Sequence, residues 1–230
     1  MKKSLEKYEL FITIFLIVIY LVSNLICLNN FGEYSIYTFL CNFILSLSII
    51  IFILRNKLIK YYSLDKFPNP KKFLYFYPMI LLIFVNFIGG VGINNTFLEI
   101  LFYMLSMLCV GFLEEIIFRG FLFKMMAKDN LKLAIVITTI TFGIGHILNL
   151  FNGADVLPTL IQICYAMAGG YLFVMVLIKS KSLWPCIITH SLLNSLSIFG
   201  VGSGMIYELL VPILLIGISL LYVRYINKIK

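Results

Sequence analysis

Charged residues are scarce in this sequence, in which Lys, Arg, Asp and Glu together make up 12% of 230 residues. A soluble domain carries roughly twice that fraction. Hydrophobic residues make up 62% of the chain, more than one water-soluble core of this size can enclose. The scarcity of charge therefore excludes an ordinary soluble domain and indicates that a lipid bilayer is the solvent for most of the surface.

Disulfide and cysteine–metal chemistry also lack support. The five cysteines are an odd number, no CxxC pair occurs, and most of them lie within apolar runs. We therefore interpret them as small buried hydrophobic residues. A cleavable signal peptide is equally unsupported, because the first apolar stretch is much longer than the roughly 7–15 residues of a signal-peptide core.

The net charge of +8 would suggest a nucleic-acid partner if the protein were soluble. Here the basic residues lie in short runs between apolar segments, and no interleaving of aromatic and basic residues occurs outside those segments. This distribution excludes nucleic acid as a partner and is typical of loops that face anionic lipid.

Eight apolar segments are long enough to be predicted as membrane spans. When their connections are assigned alternately to the two sides of a membrane, all eighteen Lys and Arg residues fall on the side of the N-terminus. The positive-inside rule then places both termini in the cytoplasm, and the predicted fold class is an all-α polytopic transmembrane helix bundle. The segments are 9–28, 34–54, 73–93, 97–123, 132–150, 157–178, 183–199 and 205–225.

Ionisable and polar residues interrupt three of these segments, and charge inside a membrane marks function by default. The fourth, fifth and seventh segments contain, respectively, Glu114, Glu115 and Arg119; Phe142 and His146; and His190 and Asn194. The two histidines are the only ones in the chain. These residues are the candidates for chemistry.

Helical spacing sorts the candidates by face. Glu115 and Arg119 are four residues apart with the acid first, which predicts an ion pair. Glu114 points about 100° away from Glu115 on a regular helix and is left to face another partner. Phe142 and His146 are also four residues apart, as are His190 and Asn194, so each pair projects from one helix face.

Each of these groups also has a purely structural interpretation. An internal Glu–Arg pair can be a clamp, because a buried charge requires neutralisation. A single histidine or asparagine in a membrane often only hydrogen-bonds to a neighbouring helix. The full set on three helices nevertheless indicates a catalytic site. A carboxylate near imidazoles can activate water directly or through a metal, and a histidine beside an asparagine can stabilise an oxyanion.

The motif series Glu114-Glu115-x-x-x-Arg119, Phe142-x-x-x-His146 and His190-x-x-x-Asn194 resembles the CPBP (CAAX protease and bacteriocin-processing, or Abi) family of intramembrane proteases. This family includes the type II CAAX prenyl endopeptidases. The resemblance covers roughly residues 95–200 and leaves 1–94 as variable N-terminal spans. We expect residues 1–230 to form one integral membrane domain.

The resemblance implies a role for each motif residue. Glu114 and His146 would activate the attacking water, and His190 and Asn194 would stabilise the oxyanion. Glu115, Arg119 and Phe142 would support that site. The cofactor stays open between a metal-free glutamate mechanism and zinc held by Glu114, His146 and His190, with one coordination position left for water.

The expected function is that of an intramembrane endopeptidase acting on a peptide or membrane-associated protein through a water-filled cavity open to the cytoplasm. The substrate stays open among prenylated proteins, bacteriocin leaders, signalling pro-peptides and an attacking bacteriocin, and so does the oligomeric state. The bias toward Ile, Lys, Asn and Phe indicates a bacterial plasma membrane and disfavours a CAAX substrate. The alternative is a non-enzymatic immunity factor or scaffold, or a proton-coupled transporter, although the repeated halves typical of transporters are not evident.

Overall fold

The computed structural model describes residues 6–67, 77–202 and 204–228. Within these ranges the extended pairing is limited to one antiparallel bridge between Val91 and Gly200. The prediction of an all-α fold is confirmed. The main helices are α1 (Glu9–Phe31), α2 (Ile36–Arg55), α3 (Tyr77–Ile83), α4 (Phe97–Glu114), α5 (Leu131–Gly145), α6 (Val156–Ser180), α7 (Trp184–Leu196) and α8 (Met205–Lys228).

Six helical segments in the described ranges are long and apolar enough to cross a membrane. They are Glu9–Phe31, Ile36–Arg55, Phe97–Met126, Leu131–Asn152, Val156–Ser180 and Tyr207–Lys228. The other two predicted spans are helical but shorter. α3 has 7 residues, and part of its predicted segment lies outside the described residues. α7 has 13 residues. The polytopic bundle is confirmed, with six helices of spanning length rather than eight.

Large apolar side chains cover the outside of the bundle. Phe11 and Val18 on α1, Ile44 on α2 and Leu221 on α8 are all exposed. Hydrocarbon is the environment that suits such a surface, because helices satisfy their own backbone hydrogen bonds and need no water at these positions. The exposed faces are therefore the lipid-facing surface of a membrane protein.

α4 begins at a capping box, in which Thr96 and Glu99 hydrogen-bond to each other. The Glu99 backbone N–H donates to the Thr96 hydroxyl, and the Thr96 backbone N–H donates to the Glu99 carboxylate. These bonds satisfy donors that the first turn of a helix leaves free. The helix then runs unbroken to Glu114, the first of the candidate site residues.

A π-helical stretch, Glu115–Phe123, continues α4, and a short α-helical turn, Lys124–Met126, completes it. π-helical turns are rare and are found often at functional sites. All nine residues of the stretch are buried, so packing against neighbouring helices holds it in this form. The regular α-helical geometry that the sequence predicts through Arg119 is therefore wrong for this stretch.

Two glycines bring the motif-bearing helices close together. A Cβ on Gly111 would lie 2.6 Å from the Cα of Ser191, and a Cβ on Gly143 would lie 2.3 Å from the Cγ of Met167. Any side chain at these positions would push α4 away from α7, or α5 away from α6. Small residues at such contacts let helix backbones approach closely inside a membrane. The approach of α4 to α7 places Glu114 beside His190.

The loop after α2 closes the end of the bundle that carries the basic loops. Leu58 and Tyr62 are almost fully buried there, and the Tyr62 ring centroid lies 4.4 Å from that of Phe121. The Trp184 indole N–H donates to the carbonyl of Leu64 at 3.0 Å. These contacts seal this end, which we call the basic end.

A hydrogen-bonded cluster joins α1 to the basic end. The Tyr61 hydroxyl donates to Oε1 of Glu9 at 2.6 Å, and Lys128 forms an ion pair with the same carboxylate. Burial, followed by the hydrogen bond to Glu9, raises the pKa of Tyr61 well above its usual value. Tyr61 therefore stays a neutral donor at all physiological pH values and helps to fix the start of α1.

Candidate active site

Glu114 lies at the inner end of a large cavity. The Tyr20 hydroxyl, from α1, donates to its Oε1 at 2.6 Å. The Nε2 of His190, from α7, lies 3.3 Å from its Oε2. Glu114 keeps 9% of its surface exposed, and it lines the cavity. The carboxylate is thus enclosed on most sides but reachable from the cavity.

His190 joins the two adjacent glutamates. Its Nδ1 lies 2.8 Å from Oε1 of Glu115, while its Nε2 faces Glu114. The two carboxylates diverge as predicted, yet one imidazole contacts both because its nitrogens lie on different edges of the ring. A neutral imidazole has a single N–H. The 2.8 Å contact with Glu115 is a hydrogen bond, whereas Nε2 faces Glu114 at the longer distance of 3.3 Å.

Arg119 lies on the far side of Glu115, and these two buried side chains form what we call the dry layer. Its Nη1 is 3.1 Å from Oε1 of Glu115, and neither side chain has any exposed surface. The guanidinium carbon lies 4.0 Å from the Phe142 ring centroid and 5.7 Å from that of Phe173. The carboxylate and the aromatic faces offset the charge of the buried cation, although its three nitrogens have no hydrogen-bond partner among the described residues. The predicted contact between Glu115 and Arg119 is present.

Gly170 on α6 makes room for this dry layer. A Cβ at this position would lie 3.1 Å from Nη2 of Arg119 and 3.1 Å from Cδ1 of Phe142. The adjacent Gly169 has nothing within 4 Å of such a Cβ. The close fit at Gly170 therefore belongs to the guanidinium and its covering ring, not to the packing of α6 in general.

His146 and Asn194 line the same cavity as Glu114 and His190. His146 begins the 3₁₀ segment His146–Asn152 that follows α5, and its ring centroid lies 5.6 Å from that of Phe142. The structure thus brings all four predicted catalytic residues to one cavity. The hydrogen-bond partners that it gives Glu114 are Tyr20 and His190. The pairing of Glu114 with His146 stays a prediction.

A side-chain hydrogen bond holds the 3₁₀ segment that carries His146. Asn149, in the middle of that segment, donates from its Nδ2 to Oε1 of Gln162 on α6 at 2.8 Å. Both residues line the cavity. This bond ties the end of α5 to α6 and so helps to fix the position of His146.

The cavity has a volume of about 1050 Å³ and leads away from the basic end. From Glu114 it reaches Glu33, Asp155 and Glu208, which lie in or beside the connections that carry no lysine or arginine. The sequence predicts a cavity open to the cytoplasmic side, which the positive-inside rule assigns to the basic end, whereas the lining residues of this cavity reach the opposite end. The loop after α2 packs over the basic end and leaves the opposite end, which we call the lysine-free end, as the way in.

The described residues contain no group of three or more His, Cys, Asp or Glu side chains that could hold a metal ion. The zinc ligands considered from the sequence were Glu114, His146 and His190. Nδ1 of His190 contacts Glu115, and its Nε2 lies 3.3 Å from Oε2 of Glu114. A zinc site needs three protein ligands around one point, and the assignment of Glu114, His146 and His190 as such a set stays a prediction.

Tyr20 is the site residue that sequence reasoning missed. It lies 94 positions before Glu114 in the chain and belongs to none of the motifs. Its position near the middle of a membrane helix could have identified it, because tyrosine is enriched at the membrane interfaces rather than at mid-span. A tyrosine at mid-span has to satisfy its hydroxyl inside the bundle.

Comparison with known proteins gives one match. Residues 96–196 match the family model described as type II CAAX prenyl endopeptidase Rce1-like. The match begins at the capping residue of α4 and ends with α7, so it contains every motif residue. No curated protein and no solved structure matches the chain. The resemblance read from the motifs is confirmed, whereas α1, with Tyr20, and α8 lie outside the match.

Proposed function

We propose that this chain, whose residues 96–196 match the family model described as type II CAAX prenyl endopeptidase Rce1-like, is an intramembrane endopeptidase. It hydrolyses a peptide bond in a peptide or membrane-associated protein. The observation that carries the proposal is the carboxylate of Glu114 at the inner end of the cavity, bonded to Tyr20 and facing His190. A desolvated, oriented carboxylate next to a water-accessible space is what a general base requires.

Glu114 takes a proton from a water molecule in the cavity, and His146 orients that water from the cavity wall. The water oxygen bonds to the carbonyl carbon of the substrate, and the π electrons of the carbonyl move onto its oxygen. Glu114 then gives the proton to the amide nitrogen as the C–N bond breaks, which leaves a carboxylic acid and an amine. A positioned base of this kind contributes roughly 10²–10⁴ to the rate.

His190 and Asn194 stabilise the oxyanion formed in the first step. The Nδ1 contact with Glu115 orients the imidazole and leaves Nε2 on the side of the cavity. The side-chain amide of Asn194, which lines the same cavity, supplies the second donor. Arg119 neutralises Glu115 in turn and keeps it as the orienting group for His190.

The helices outside the family match belong to the same functional unit in this proposal. α1 supplies the Tyr20 bond to Glu114, and residues of α8, among them Pro212 and Leu215, line the cavity. We therefore treat residues 1–230 as one membrane domain rather than as a catalytic domain with separate flanking helices.

Cleavage of a mixed peptide library by the purified protein in lipid vesicles, analysed by mass spectrometry, tests the proposal. Wild type and Asp129→Asn, a control at an exposed turn, should give the same products, and Glu114→Gln should give none. Equal cleavage by all three proteins would contradict the proposal. A protein that acts only by binding would also keep its cellular phenotype with Glu114→Gln at normal abundance.

A further inference from the structure

The far end of the cavity carries an acidic rim, formed by Glu33, Asp155 and Glu208. All three residues line the cavity, and all three are exposed. No lysine or arginine lines the cavity within the ranges that the structure describes. The basic residues of those ranges lie at the opposite end, where the loop after α2 is packed closed. The charged side chains at the open end of the cavity are therefore all negative.

Glu33 affects the residue next to it in the chain, Tyr34. Burial, followed by the nearby Glu33 carboxylate, raises the pKa of Tyr34 to about 12. None of the three rim carboxylates forms an ion pair within the described part of the chain. Carboxylates without ion-pair partners that line a low-dielectric cleft concentrate ions of the opposite sign and raise their on-rates by about 10–10³.

The depth of the cavity limits what can reach Glu114. Glu114 lies seventeen positions along α4 from Phe97, which is at the lysine-free end, and this is about 26 Å at 1.5 Å per residue. An extended chain advances about 3.3 Å per residue, so roughly eight unfolded residues span that depth. A cavity of about 1050 Å³ is too small for a folded domain, whereas a flexible terminus or loop can enter it.

We infer that the site takes an unfolded, positively charged polypeptide segment, which enters from the lysine-free end past Glu33, Asp155 and Glu208. The inference rests on the proposed function and gives its substrate class. Basic residues about eight positions from the cleaved bond lie at the acidic rim when the bond reaches Glu114. Under the positive-inside prediction, the lysine-free end is the outer face of the membrane.

Matched peptides test the charge preference. They share one cleavable core, taken from the library experiment, and carry Lys, Gln or Glu at the positions that reach the rim. We expect kcat/KM for the Lys peptide to exceed that for the Glu peptide by on the order of tenfold or more. The variant Glu33→Gln/Asp155→Asn/Glu208→Gln should lower this ratio to about one. The control Glu6→Gln/Asp65→Asn/Asp129→Asn, which removes as many charges elsewhere, should keep it.

Thiol labelling tests the path independently of any cleavage. Met107 lines the cavity partway along α4, and Met107→Cys is made in a protein whose five native cysteines are replaced by serine. Impermeant cationic and anionic methanethiosulfonates of equal size are added to either side of sealed vesicles, with Asp129→Cys marking the basic end. We expect the cationic reagent to react on the order of tenfold faster, and from the lysine-free side.

The outcomes separate the two proposals. Absence of cleavage of every peptide, with cationic labelling from the lysine-free side, overturns the proposed function and leaves the access path standing. Cleavage with equal kcat/KM for Lys and Glu peptides overturns the inference and leaves the endopeptidase standing. Labelling of Met107→Cys from the basic end, or equal labelling by both reagents, also overturns the inference.

Discussion

Two adjacent regions of this molecule use the same kinds of side chain for opposite purposes. The cavity floor, formed by Tyr20, Glu114, His146, His190 and Asn194, borders open space. The dry layer, formed by Glu115 and Arg119, lies beneath it and is covered by the rings of Phe142 and Phe173, which line the cavity. Glu114 and Glu115 are neighbours in the chain, but the first keeps 9% of its surface exposed and the second keeps none.

The difference shows how one short motif supplies both chemistry and support. A carboxylate that reaches water can exchange a proton, so Glu114 can serve as a base. A carboxylate beside a guanidinium with no exposed surface has no contact with water and can only orient a neighbour. His190 spans the boundary, with Nδ1 on Glu115 and Nε2 on Glu114. Substitutions in the dry layer should therefore cost stability, and those on the cavity floor should cost activity.

The largest effect is expected from Arg119→Ala. It leaves Glu115 buried without its cation, which costs about 3–5 kcal/mol of folding free energy. Thermal and denaturant unfolding in detergent would measure it. Arg55→Ala, at the exposed end of α2, is the control and should stay within about 0.5 kcal/mol of wild type. A neutral pair, Glu115→Gln/Arg119→Met, should recover most of the loss. An equally stable Arg119→Ala would show that the layer is not a charge clamp.

Asn194→Ala should separate activity from stability. Loss of one oxyanion donor lowers kcat by about 10²–10³. The melting temperature should stay close to that of wild type, because Asn194 is only half-buried and borders the cavity. Steady-state cleavage and thermal unfolding, measured on the same preparation, check both values. A fall in stability without a fall in kcat would place Asn194 among the supporting residues instead.

Gly170→Ala and Gly169→Ala form a matched pair on α6. The added methyl group at Gly170 meets Arg119 and Phe142 at 3.1 Å, while the one at Gly169 meets nothing within 4 Å. Overpacking of this kind costs about 1–3 kcal/mol. We therefore expect a lowered melting temperature for Gly170→Ala alone. Equal melting temperatures for the two variants would mean that the layer yields easily around the guanidinium.

Tyr20→Phe should have the smallest effect, confined to the cavity floor. It removes one hydrogen bond to Glu114 that contributes about 0.5–1.5 kcal/mol, or roughly two- to tenfold in kcat/KM. Tyr165→Phe is the control, since Tyr165 lines the same cavity but its hydroxyl does not bond to Glu114. If Tyr20→Phe and Tyr165→Phe both cleave at the wild-type rate, the bond from α1 contributes nothing to the base.

Hydrophobic runs were enough to predict the helices, because membrane insertion depends on the local sequence. Each of the eight predicted segments contains a helix, although α3 and α7 are too short for the predicted spans. The site residues could also be predicted, because a charged residue inside an apolar segment is energetically costly and marks function. The ion-pair contact between Glu115 and Arg119 followed from their spacing, because both lie on one short stretch.

Features that depend on distant segments could not be predicted. Tyr20 meets Glu114 across 94 positions, and the π-helical stretch after Glu114 is held by packing rather than by propensity. The direction of the cavity depended on how residues 56–67 fold over the basic end, with Tyr62 buried against Phe121. The periodicity of a sequence does not predict side-chain contacts between segments that are far apart in the chain.

The central claim is that Glu114 activates water rather than attacking the substrate itself. A single turnover in H₂¹⁸O, followed by mass spectrometry of product and protein, tests it most directly. The account predicts one ¹⁸O in the new carboxyl group of the product, none in the peptide that contains Glu114, and no product from Glu114→Gln. Label in the Glu114 side chain, or full cleavage by Glu114→Gln, would contradict it.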